Sequence, residues 1–132
     1  MAAVSAPRWM LWTGWLLSIA VVAQLLSSAW FRATHHANAV AEIVTAYGYP
    51  ESAIVPIVTA ECALVALYLV PQTSVLAAIL MTGYLGGAVA THLRVADTAR
   101  TAIPLLVGIL AWGGLYLRDS RIRQLVPFRR SA

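Results

Sequence analysis

The apolar positions of this chain gather into long uninterrupted blocks, without the regular polar alternation of a soluble domain. Residues 9–31 are almost wholly apolar between Arg8 and Arg32; residues 53–70 form a second run closed by Pro71, residues 74–93 a third and residues 101–117 a fourth. Crossing roughly 30 Å of hydrocarbon takes about 20 helical residues (range about 17–25), so each run is a membrane-span candidate, the last near the lower limit. A secretory signal competes for the first run, with Arg8 as basic flank and Ala37-Asn38-Ala39 as a cleavage-like site. The run exceeds the roughly 7–15 residues of a signal core, and Trp9, Trp12 and Trp15 stud its start, so a retained helix is expected. Only Pro71-Gln72-Thr73 separates the second and third runs, which forces an antiparallel hairpin. Pro56 falls in the first turn of the second span, where a missing N–H costs little. The expected fold is all-α: a single four-span membrane domain over residues 1–132, a four-helix transmembrane bundle.

The long connection, residues 32–52, carries Val40, Ile43, Val44 and Tyr47 at helical spacing. Asn38 is placed to cap a short helix that Gly48 and Pro50 would stop. This predicts a short interfacial helix that lies on the bilayer or lids the bundle.

Arginine distribution sets the orientation. Arg8, Arg118, Arg121, Arg123, Arg129 and Arg130 share one side; Arg32, Arg94 and Arg100 share the other, diluted by Glu42, Glu51 and Asp97. The positive-inside rule then puts both termini in the cytoplasm and the interfacial helix outside. The basic tail suits an anionic leaflet. With 61% hydrophobic residues and only 11% charged, the composition also excludes an ordinary soluble domain. A net charge of +4 without basic runs interleaved with aromatics does not indicate nucleic acid.

Against this background Glu61 stands out. A carboxylate at mid-span costs roughly 2.5 kcal/mol or more if ionised, so it must be partnered, protonated or functional. At 100° per residue it shares a face with Ile54, Val58, Val65 and Tyr68. Thr13, Gln24, Ser27 and Ser28 make a polar stripe on the first span that should face inward. A Gln24–Glu61 contact, or a small wet cavity between these helices, is expected; a structural hydrogen bond fixing helix pairing is the alternative. His92 and Arg94 end the third span on the outward side. Level spans would put His92 roughly 13 Å from Glu61 along the axis, which disfavours a direct pair.

Gly83 and Gly87, widened by Gly86 and Ala90, are spaced for close helix packing, and Gly108, Gly113 and Gly114 suit the same purpose on the fourth span. Cys62, the single cysteine, rules out an intrachain disulfide and reads as a small packing residue. His35, His36 and His92 lack paired ligand spacing, so no metal site is expected. No phosphate loop, nucleophile elbow or haem-attachment motif occurs.

Tyr47-Gly48-Tyr49-Pro50, Pro56-Ile57 with Glu61, Leu67-Tyr68-Leu69-Val70-Pro71, the run from Thr82-Gly83-Tyr84 to Thr91-His92-Leu93-Arg94, Pro104 and Trp112-Gly113-Gly114-Leu115-Tyr116-Leu117-Arg118-Asp119 resemble the DoxX-like family of small bacterial membrane proteins, from about residue 47 to the end. The resemblance implies a four-helix bundle in the bacterial inner membrane. By position it marks Glu61, His92 and Arg94 as the residues that matter, Glu61 and His92 being the catalytic candidates. Cys62 stands where an aliphatic residue is usual.

The wider grouping includes a quinone-linked oxidoreductase subunit, so one expectation is a membrane redox component, with quinone as ligand and Tyr68 and Tyr84 lining its pocket, or the partner subunit of such a component. A small-molecule permease or binding protein, and a non-catalytic assembly subunit, are the other classes. Gln24, Glu61, Tyr68, Tyr84, His92 and Arg94 are the candidate ligand-binding residues. The expected partners are the lipid bilayer and either other subunits or a second copy of the chain.

Overall fold

A computed structural model describes residues 7–125, so Arg129 and Arg130 of the basic tail lie outside the described residues. Four helices are long and apolar enough to cross a membrane. They are α1 (Arg8–Thr34), α3 (Ile54–Leu69, entered through a short turn at Glu51–Ala53), α4 (Ser74–Arg94) and α5 (Thr98–Arg118). Between α1 and α3 lies α2 (His36–Val40), which continues into a π-helical turn at Ala41–Ala46. A short α6 (Ser120–Leu125) follows α5. No strand occurs among the described residues.

The expected interfacial helix is present, but it starts after His35 and Asn38 caps nothing. Gly48 stops it at a φ of +72°, a left-handed conformation that glycine adopts without steric cost. Ala39, Ile43 and Tyr47 bury against Ile54 and pack on Ile57 and Val95, so the segment is a lid over one end of the bundle.

At the opposite, terminal end the helices are clamped. A Cβ on Gly14 of α1 would meet Arg118 N at 2.8 Å and Gly114 O at 2.9 Å; one on Gly114 would meet Ser18 Oγ at 2.6 Å. Only glycine allows α1 and α5 to approach this closely. Ser18 Oγ donates to Gly14 O (2.8 Å) and lies 3.3 Å from Tyr68 Oη, which donates to Ala111 O at 2.7 Å. Arg118 donates to Tyr68 O at 3.0 Å and stacks over the Trp15 ring at 4.4 Å. An apolar core including Val21, Leu64, Val65, Met81 and Leu115 fills the space above this clamp.

The packing expected of Gly83, Gly86 and Gly87 is not made among the described residues, because a Cβ at any of them would have no atom within 4 Å. Gly108 makes only an ordinary 3.6 Å contact with Leu85. Cys62, expected as a small packing residue, is exposed on α3.

Candidate functional site

Glu61 is 2% exposed, halfway along α3. Three side chains reach one oxygen, Oε1: Arg32 Nη1 at 2.8 Å, Tyr84 Oη at 2.7 Å and Ser28 Oγ at 2.9 Å, all donating. Ser28 and Arg32 are one turn apart on α1 and hydrogen-bond to each other, so both project to the same face. The guanidinium also reaches the lid: its Nε lies 3.3 Å from Glu42 Oε2, close enough for attraction although not aligned as a hydrogen bond. Tyr47 Oη donates to the other Glu42 oxygen at 3.3 Å. One arginine thus ties a lid carboxylate to a buried one. Glu42 belongs to the π-helical turn, a local distortion that re-aims side chains and is frequent at functional sites.

The second oxygen of Glu61 and Nδ1 of His92 are buried and have no hydrogen-bond partner among the described residues. Such groups cost about 1–3 kcal/mol each when left unpaired. Both residues line a cavity of about 390 Å³ between α1, α4 and α5, together with Arg32, Glu42, Tyr84 and Arg100. Gln24, Ser27, Phe31 and Ile103 also line it and are exposed, so it opens on the flank of the bundle between α1 and α5. Pro104, inside α5, borders it as well and removes one backbone hydrogen bond there.

Gln24 shares this cavity with Glu61 but gives it no hydrogen bond; Ser28 and Arg32 take that role. His92 also borders the cavity but makes no hydrogen bond to Glu61, as the axial separation led us to expect, so the two are joined only through the space they share. Its ring packs edge-on against Tyr47, with centroids 5.3 Å apart. Arg94 lies elsewhere: it donates to Tyr47 O and sits 5.6 Å over the Tyr49 ring, while Tyr49 Oη meets Thr91 Oγ1 at 2.8 Å. It fastens the lid to α4. Tyr68 is fully buried in the clamp and reaches neither the cavity nor lipid, so it is no pocket residue.

Burial pushes the Tyr47 phenol above its ordinary value. Two contributors were not singled out from sequence, Arg32 and Glu42. The signal for Arg32 was available: a buried carboxylate needs a partner, and arginine is the chain's only permanent cation.

The model of the DoxX-like family matches residues 8–114. The match begins at α1, well before residue 47, and takes in the lid and every residue of the Glu61 cluster. No curated protein and no solved structure matches the chain.

Proposed function

Because the chain belongs to the DoxX-like family, we propose that it is a multi-pass membrane subunit that binds the head group of a lipid-soluble quinone or quinol beside Glu61. The carrying observation is the buried Glu61, which lines a cavity open on the flank of the bundle and whose second oxygen has no hydrogen-bond partner among the described residues. A hydroxylated ring would donate to that oxygen, and a ring carbonyl would accept from Arg32 or from a protonated His92 nitrogen. At about 390 Å³ the cavity lies within the common size range of ligand sites, roughly 300–1,000 Å³. An opening between two spanning helices suits a ligand that arrives through the bilayer.

In this reading the free Glu61 oxygen accepts the hydrogen bond of the ring, while Arg32 and Tyr84 hold the other oxygen. The single cysteine, Cys62, cannot form an intrachain disulfide, and in this reading a redox-active partner subunit would exchange electrons with the bound quinone. Both termini face the cytoplasm of a bacterial cell, which puts the lid on the outer face. A permease would need a polar route to the terminal end, where apolar side chains and the Gly14–Gly114 clamp close the bundle.

Extraction of the protein in native-lipid particles, followed by mass spectrometry, tests this reading. Quinone retained near one molecule per chain, and lost in Glu61→Leu, is expected. Quinone at no more than the level of the surrounding lipid would overturn it.

A further inference from the structure

A second cavity, of about 410 Å³, lies across α4 from the first, beneath the lid and against α3. It exists because α4 presents glycine there. Gly83 and Gly87 line it, and a Cβ on either would have no atom within 4 Å. Pro56 and Ile57 wall it from α3, and Ile43 roofs it from the lid. The spacing first expected to bring two helices together instead leaves room for something else.

The two cavities are neighbours. Residues four apart on a helix stand in line, so Tyr84, Ala88 and His92 form one ridge along α4. All three, with Arg32, line both cavities. Tyr84 and His92 are tall and Ala88 ends at its Cβ, so the ridge is lowest in the middle. The two carboxylates, Glu42 and Glu61, and Arg100 line the first cavity alone. The second shares Arg32, Tyr84 and His92 with it and adds Tyr47, Tyr49 and Thr91 to apolar walls from Ile43, Ala53, Pro56 and Ile57. That is the division an amphipathic lipid requires.

We propose that the second cavity holds the aliphatic tail of the ligand whose head group sits beside Glu61, the tail crossing α4 at Ala88. The inference rests on the reading given under Proposed function and adds a tail site to it. A tail leaving lipid gains little from the hydrophobic effect, so its recognition depends on shape and on dispersion contacts with the cavity wall. The glycines at 83 and 87 supply that shape.

The test uses a dimethoxy-methyl benzoquinone ring carrying a decyl chain, and the same ring with no chain, titrated onto the purified chain in lipid–detergent micelles. Gly87→Leu narrows the second cavity from a position that does not line the first. It is expected to weaken the decyl probe about tenfold while leaving the tailless ring bound as in wild type, with Gly87→Ala falling between. Unchanged binding of the tailless ring also shows that the variant is folded. Equal weakening of both probes, or no weakening of the decyl probe, would overturn the tail site alone. A ring that the wild-type chain does not bind would overturn the head-group reading and the tail site with it.

Discussion

Arg32 Nη1 stands 2.8 Å from Glu61 Oε1, joining the lid end of α1 to the middle of α3. Removing one member of a buried pair leaves the other charge uncompensated, whereas removing both does not. Arg32→Leu should therefore destabilise the protein by about 3–5 kcal/mol, and Glu61→Leu combined with it should recover most of that loss. Thermal unfolding of the two variants in one detergent checks the difference. A double variant as unstable as the single would show that the pair is not the source.

The clamp and the open glycines should respond oppositely to one added methyl group. Gly114→Ala forces a Cβ to within 2.6 Å of Ser18 Oγ and should cost about 1–3 kcal/mol. Gly86→Ala meets no atom within 4 Å and should stay within about 0.5 kcal/mol of wild type. Melting temperatures of the two variants decide the matter.

The two span tyrosines should separate in the same way. Tyr68→Phe breaks the bond to Ala111 O and should cost about 0.6–1.7 kcal/mol of stability with ring binding intact. Tyr84→Phe removes a donor to Glu61 and should weaken binding of the tailless ring several-fold. Melting and titration of both variants test the contrast.

The lid should loosen at alkaline pH. Tyr47 is held neutral by burial, with its folded value above the ordinary 10.0. A raised folded value means that its contribution to docking is complete below pH ~10 and is lost as the pH climbs through the folded value. The protection of residues 36–47 from hydrogen exchange, taken relative to the intrinsic rate at each pH, should fall over that window. Tyr47→Phe, which has no proton to lose, should flatten the fall.

Span count and span bounds were legible because lipid enforces them: every backbone polar group must be satisfied within the helix, and the apolar runs have little other use. Glu61 was legible for the converse reason, as a costly exception inside such a run. Its charged partner was not, because Arg32 reads as a flank when spans are drawn as level slabs, whereas Ser28 and Tyr84 were already among the expected polar and pocket residues. A long side chain two residues from the helix end reaches far into the bundle. The glycines misled in a related way. Small residues four apart permit either a close neighbour or an empty groove, and the pattern is the same for both. Gly14 and Gly114 make the contact; Gly83 and Gly87 make the groove. The lid was legible as a helix, yet the placement of Glu42 depends on a π-helical turn that no residue in 41–46 announces.

Titration of the tailless benzoquinol ring onto wild-type protein and Glu61→Gln tests the central claim most directly. Glutamine keeps the shape of the side chain and replaces the free acceptor oxygen or its charge. A buried hydrogen bond to a charged group is worth about 1.5–3 kcal/mol, so binding should weaken by roughly tenfold to a hundredfold while Gln24→Ala changes it little. Equal affinity for wild type and Glu61→Gln, in protein that melts normally, would contradict a head-group site at Glu61.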